Sequence, residues 1–305
     1  MMERVDIKDI PFPLSPVVPT LLESTATIQF RCHKGIACFN ACCKNIDITL
    51  TPYDVLRLKG RLGLSSGEFL VKYTTPFEMG QGDIAGIKML PAENTIQCQF
   101  MTDEGCSVYE DRPTACRYYP AALLSLRNQN EYTDREAYAL VKEDQCLGHN
   151  EPRTLTIAEY RKEQGVEEYD EQSRGWRQLI LKKKSTGPTV GKPSKRSLQL
   201  FFMACYDIDR FREFVSSPSF NEVYDLPTEL KEKIQNDDVE LLQFGYSFLR
   251  QVMFDEPSIA TKADALDKRL ARKEERNVVM EEIVAKLGPL DAPPVEEFDK
   301  YKFVD

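Results

Sequence analysis

With 305 residues and 42% hydrophobic content, the chain can bury a sizeable core in one large or two ordinary domains. Its formal charge of -9 excludes a general grip on nucleic acid, which needs clustered lysine and arginine against phosphate, and leaves a protein partner open. The longest apolar run, LQLFFMAC at 198–205, is too short to span a bilayer, and the N-terminus lacks a basic start followed by an apolar stretch, so the expectation is a cytoplasmic protein without a membrane span.

Taken in chain order, residues 1–30 predict an extended arm, because Pro11, Pro13, Pro16 and Pro19 deny it a long helix. KNIDITLT at 44–51 alternates as a short strand. TPYDVLRLKGRLG then predicts a helix with Thr51 as its cap, Pro52 in the first turn and Gly63 at its end. Ser65 and Glu68 form a capping box for a second helix through about Tyr73. Residues 83–101 read as strands, DIAGIKML and then NTIQCQFM after a turn at Pro91–Asn94, and DEG at 103–105 marks the tip of a hairpin. One helical turn around Cys116, stopped by Pro120, and two short strands within 121–141 follow.

Beyond residue 153 helical periodicity takes over. Thr156 and Glu159 open one helix, 167–184 forms another with the single Trp176, and 197–215, 228–254 and 258–287 follow. The segment 182–197 is a basic loop and the chain after Pro289 an acidic tail. The expected fold class is α+β: an arm at 1–30, a cysteine-rich metal-binding domain of short strands and helices at 31–152, and a mainly helical region at 153–305.

The chemistry lies in the cysteines. Eight of nine fall between Cys32 and Cys146, four of them within RCHKGIACFNACC (Cys32, Cys38, Cys42, Cys43), followed by Cys98, Cys106, Cys116 and Cys146. Packing alone does not explain such clustering, whereas soft thiolates hold metal, and in a reducing compartment metal is favoured over disulfides. Adjacent Cys42 and Cys43 cannot easily aim both sulfurs at one mononuclear centre, so eight thiolates suit two four-sulfur sites or one multinuclear cluster. No C-x2-C knuckle is present, which favours an iron–sulfur cluster over zinc. His33 and His149 each neighbour a cysteine and are read as solvated polar residues before ligands. Arg112 and Arg117 flank Cys116, placed either to neutralise thiolate charge or to pair with Glu110 and Asp111. Cys205, on an apolar helix face, reads as a structural thiol. No catalytic triad is visible and no residue is nominated as catalytic.

CHKGIACFNACCKNIDITLTPYDVLRL, followed by CQFMTDEGCSVYEDRPTACRYYP, resembles the CxxCxxCC family of cysteine-cluster proteins, also called YkgJ-type. The elements that carry the resemblance are Cys38, Cys42, Cys43, Leu50, Thr51, Asp54, Cys98, Phe100, Cys106, Val108, Tyr109, Arg112, Pro113, Cys116, Arg117, Tyr119 and Pro120. It implies zinc or iron chelation and no particular reaction. The same pattern is similar to part of the flagellin lysine N-methylase, which implies a protein-modifying transferase as one alternative; a structural zinc-binding module is another. Against the transferase, GPTVGKP at 187–193 is the nearest glycine-rich loop and is one residue short of a P-loop. The leading expectation is an iron–sulfur protein with a binding or electron-transfer role.

Overall fold

The computed structural model describes residues 17–79, 84–126, 135–185, 193–265, 267, 268 and 274. The arm before residue 17, residues 186–192 of the expected basic loop and the acidic tail lie outside them, while 182–185 and 195–197, expected in that loop, are helical. The fold is α+β. It divides into two compact units, one reaching Phe214 and resuming over Thr228–Ser258, the other comprising Val215–Pro227 and the chain from Ile259.

The strands are short: β1 (Val17–Leu22), β2 (Thr27–Gln29), β3 (Thr49–Leu50), β4 (Thr74–Glu78), β5 (Ala85–Met89), β6 (Met101–Thr102), β7 (Gly105–Cys106), β8 (Ala121–Leu126), β9 (Arg135–Val141) and β10 (Thr154–Thr156). All pair antiparallel, in the orders β1-β9-β8, β10-β2, β3-β5-β4 and β6-β7. β2 and β10 bring residues near Cys32 beside the chain that follows Cys146, through Thr27 opposite Thr156 and Gln29 opposite Thr154.

The helices begin where their capping residues place them. α1 (Pro52–Leu62) and α2 (Ser66–Tyr73) open with the Thr51–Asp54 and Ser65–Glu68 capping boxes, and α1 stops at Gly63, whose φ of 65° suits a residue without Cβ. α3 (Thr114–Tyr118) is the single turn that carries Cys116, and α4 (Ile157–Gln164) opens with a Thr156–Glu159 box. α5 (Val166–Ser185), α6 (Lys195–Tyr206), α7 (Ile208–Ser216), α8 (Pro218–Asn221), α9 (Thr228–Asn236) and α10 (Asp238–Phe254) make up the rest.

Several expectations change. The second strand over 94–101 does not form: Pro91 and Cys98 make an isolated bridge, and the chain between them turns back on itself through Ala92 N–H to Gln97 O (2.7 Å) and Thr95 N–H to Ala92 O (3.0 Å). The helix expected at 197–215 breaks at Asp207, whose carboxylate accepts from the Ser66 hydroxyl at 2.7 Å. The one expected at 228–254 breaks at Asp237, which caps α10 by accepting from the amides of Val239 (2.7 Å) and Glu240 (3.1 Å). Residues 258–264 are not helical, and Thr261 instead bridges Tyr224; most of the remaining stretch to 287 lies outside the described residues.

Two apolar clusters fix the site's surroundings. α1 packs against α5, α6 and α10, and Val55 and Leu58 of α1 are fully buried together with Phe201, Leu241 and Leu249. Each such side chain contributes about 1.5–3 kcal/mol, so α1, which follows the first cysteine group directly, is firmly anchored. The second cluster joins Ile28, Phe30, Tyr118, Tyr138, Ile157 and Tyr160, with Cys146 packed against it.

Candidate metal centre

The first cysteine group sits on consecutive tight turns. Amides donate from Ile36 to His33 O (3.1 Å), Phe39 to Ile36 O (3.0 Å), Ala41 to Cys38 O (2.9 Å) and Cys43 to Asn40 O (3.0 Å). Asn40 takes a φ of 63°, and the 3-10 turn Ala41–Cys43 follows it. That left-handed step suits asparagine and reverses the chain just before the adjacent pair. The Asn40 side-chain amide donates to Thr102 O at 3.0 Å, which holds the loop against the β6–β7 hairpin.

Backbone contacts then bring the later cysteines to the first group. Cys98 N–H donates to Cys43 O at 2.8 Å. The hairpin sets Cys106 opposite Met101, with Gly105 at a φ of 122° making the turn. On the other side, Arg31 N–H donates to Gly148 O at 3.0 Å and Leu147 N–H donates to the Cys38 sulfur at 3.3 Å. Gly148 permits this approach, because a Cβ there would stand 2.6 Å from the Phe30 ring. Phe100 N–H likewise donates to the Cys98 sulfur at 3.4 Å, and the sulfurs of Cys42 and Cys43 are 4.0 Å apart.

Cys116 is positioned from behind. Asp54 is fully buried, and its carboxylate accepts from Thr51 N–H (2.8 Å), Thr114 N–H (2.8 Å) and the Thr114 hydroxyl (2.6 Å). The acid that caps α1 therefore also clamps the turn bearing Cys116. Sequence reasoning missed this link; the signal was the threonine two residues before Cys116. Arg57 of α1 adds two hydrogen bonds, from Nε (2.9 Å) and Nη2 (2.7 Å), to one oxygen, Oδ1, of Asp111.

Arg112 and Arg117 take neither of their expected acidic partners. Arg112 donates to Tyr109 O (2.7 Å) and the Gln164 side chain (2.7 Å). Arg117, buried, donates to the carbonyls of Arg112 (3.0 Å), Gln164 (2.8 Å) and Glu110 and to the Tyr169 hydroxyl (3.0 Å), with its guanidinium over the Tyr169 ring. Both brace the backbone around Cys106 and Cys116, and the Arg112 charge also draws the Cys106 thiol down against the burial that raises it.

Burial, followed by the charges of Cys42, Cys38 and Cys146, pushes the Cys32 thiol up to about 11. Burial also raises Cys98, Cys106 and Cys116, where neighbouring sulfurs add to it. Within the adjacent pair, the hydrogen bond holds Cys42 down to about 7 and Cys43 well up. Cys42 is an electrostatic neighbour of Cys32, Cys43, Cys98, Cys106 and Cys116, so the sulfurs of both sequence groups form one neighbourhood. All nine cysteines are free thiols, with Cys32 and Cys42 exposed. Among the described residues no three Cys, His, Asp or Glu side chains stand close enough to share one ion. The donors fit zinc or iron in kind and not in spacing: they are soft, and those of Cys38 and Cys98 already accept an amide N–H, as metal-bound thiolates do.

The histidines are engaged elsewhere. His33 faces Glu151 at 3.4 Å through Nε2 and accepts from Gly35 N–H at 3.2 Å through Nδ1, while His149 Nε2 meets Val141 O at 3.0 Å. Cys205 is buried in α6, and burial raises its thiol. An open cleft of about 380 Å³ lies beside His149, between Ile28, Gln29 and Leu140.

The α+β fold sets eight free cysteines on short turns and loops, several of which are tied to one another by backbone contacts, as in a cysteine-rich domain. Residues 31–174 match the model of the CxxCxxCC family, described as "Putative zinc- or iron-chelating domain". No curated protein and no solved structure matches the chain. No helix among the described residues is long and apolar enough to cross a membrane.

Proposed function

We propose that Cys32, Cys38, Cys42, Cys43, Cys98, Cys106, Cys116 and Cys146 hold iron–sulfur centres, and that the domain serves as a binding or electron-transfer protein. The observation that carries this reading is the convergence of both cysteine groups on Cys42, at a patch that reaches solvent through Cys32 and Cys42. An electron carrier needs its centre near the surface, and amides aimed at sulfur, as from Leu147 and Phe100, are the contacts that set cluster potentials. When bound, the cluster supplies one-electron chemistry. The chain's own part is to supply thiolates, to hold them through Asp54, Arg117 and Gly148, and to limit water at the half-buried sulfurs.

The test is anaerobic purification of the full chain followed by elemental analysis and an acid-labile sulfide assay. Iron with matching sulfide, and broad absorption near roughly 400 nm, is expected. A colourless protein with stoichiometric zinc would instead identify a structural zinc module, for which chelators unfold the domain without a redox response.

A further inference from the structure

We propose that Cys42 and Cys43 form a reversible redox site: a small hydroperoxide oxidises the exposed thiol of Cys42, and Cys43 closes on it to make a disulfide between neighbouring residues. The reaction concerns the thiols themselves and needs no bound metal. Its consequence, that oxidation withdraws two sulfurs from a metal centre, rests on the reading above.

The fold places the pair. The two sulfurs are 4.0 Å apart, and among the described residues no other two cysteine sulfurs make a hydrogen-bond contact. Both residues lie in the 3-10 turn Ala41–Cys43, which follows the left-handed Asn40. Cys43 is held at each end: its amide donates to Asn40 O (3.0 Å) and its carbonyl accepts from Cys98 N–H (2.8 Å). The Asn40 side chain ties the turn to Thr102 of the β6–β7 hairpin. Cys42 is exposed and Cys43 half-buried, so an oxidant arriving from solvent meets Cys42 first. Cys32 is the other exposed thiol of the group and has no sulfur within such reach. The sulfurs of Cys38 and Cys98 instead accept from the amides of Leu147 (3.3 Å) and Phe100 (3.4 Å). A reaction between two sulfurs therefore suits this geometry, in which no three metal-ligating side chains of the described residues stand close enough to share one ion.

The chemistry balances with the hydroperoxide as the only co-reactant. The Cys42 sulfur attacks one peroxide oxygen, and the S–O bond forms as the O–O bond breaks. The displaced oxygen leaves with the Cys42 proton, as water when the oxidant is hydrogen peroxide, and Cys42 becomes a sulfenic acid. The Cys43 sulfur then attacks the Cys42 sulfur, the S–S bond forms as the S–O bond breaks, and the departing hydroxide takes the Cys43 proton as a second water. Two thiols are oxidised and one peroxide is reduced. Neighbouring Cα atoms are about 3.8 Å apart across a trans peptide, short of the ordinary disulfide span of about 4.4–6.8 Å. Such a bridge is strained and readily reduced, as a reversible site requires.

The experiment exposes the full-length, anaerobically purified chain to hydrogen peroxide, one portion as purified and one after treatment with a chelator. Free thiols are then alkylated and the chain is cut with trypsin, which releases the peptide 35–44 with Cys38, Cys42 and Cys43. The expected peptide has lost two hydrogens and carries one alkyl group, on Cys38; dithiothreitol before alkylation restores all three. Cys43→Ser should stop at a sulfenic acid on Cys42 that dimedone traps, and Cys42→Ser should leave Cys43 open to alkylation. In urea, where the turn no longer aligns the sulfurs, the adjacent bridge should give way to other pairings. A bridge from Cys42 or Cys43 to Cys38 or Cys98, no bridge in either portion, or an equal yield of the adjacent bridge in urea would overturn the proposal. The bridged chain should also take up less metal than the reduced one, and equal, non-zero uptake would refute its action on the metal centre. A chain that forms the bridge but takes up no metal when reduced sinks the metal reading and leaves the redox pair intact, so the two failures are distinguishable.

Discussion

Replacing Asp54 tests whether one buried carboxylate ties the helix after the first cysteine group to the turn that carries Cys116. Asp54→Ala removes the acceptor for three donors: Thr51 N–H, Thr114 N–H and the Thr114 hydroxyl. Buried donors left without partners cost about 1–3 kcal/mol each, and hydrogen bonds to a charged acceptor are worth about 1.5–3. Against this stands the relief of no longer burying a charge. The net expectation is a loss of about 3–5 kcal/mol, a large part of a typical domain's 5–15. Asp54→Asn keeps one oxygen for the Thr114 pair and turns its amide toward Thr51 N–H, so its loss is about 1–2 kcal/mol. Thr114→Val removes only the hydroxyl and belongs in the same range. Urea unfolding followed by the fluorescence of Trp176 on α5 measures all three. Asp54→Ala within about 1 kcal/mol of wild type, or Asp54→Asn as damaging as Asp54→Ala, would refute the clamp.

Other outcomes follow from the same contacts. Arg117→Lys loses most of a four-partner fork that an ammonium cannot reproduce and should cost about 2–4 kcal/mol while releasing metal more readily; unchanged stability and metal retention would remove Arg117 from the scaffold. Because burial and neighbouring sulfurs raise Cys32, Cys98 and Cys106, metal must displace their protons. Apparent affinity should therefore rise with pH, on the order of tenfold per pH unit for each proton displaced, and a competition titration against a chromophoric chelator that is flat between pH 6 and 8 would contradict this. Burial raises the Asp209 carboxyl, but the Ser66 amide and the Lys59 ammonium outweigh it and hold it below its ordinary range. A carboxyl depressed on folding adds stability above its unfolded pKa of about 3.9 and loses it as pH falls through the folded value. Asp209→Asn should thus be less stable than wild type at pH 6, with the gap closing below about pH 4; a gap that persists in acid would count against the assignment.

The helix starts were readable because a capping box is local: Thr51 with Asp54, Ser65 with Glu68 and Thr156 with Glu159 each satisfy their amides within three residues. The turn at 103–105 was readable for the same reason. What escaped was set by distant partners. Asp207 ends α6 while holding Ser66, far away in sequence, and the apolar alternation over 94–101 gives way because Cys98 N–H is taken by Cys43 O. Residues 94–100 carry a strand's pattern and form no strand; only Met101 enters one, opposite Cys106. The cysteine neighbourhood could be anticipated from clustering alone, since packing gives no reason for four thiols in one short loop. The contacts that tie its loops together could not, because they rest on Leu147 reaching Cys38 and on Gly148 letting the chain close against Phe30. Arg112 and Arg117 were read as counter-ions to thiolate or to Glu110 and Asp111; both brace carbonyls, a role that only the folded backbone reveals, and Arg112 also acts on the Cys106 thiol.

X-ray absorption at the metal edge of the anaerobically purified chain tests the central claim most directly, because it counts the atoms bound to the metal. Iron with four sulfur neighbours and a second iron close by is the predicted result. A first shell of oxygen and nitrogen, or a sulfur shell unchanged when Cys42 and Cys43 are both replaced by serine, would contradict it.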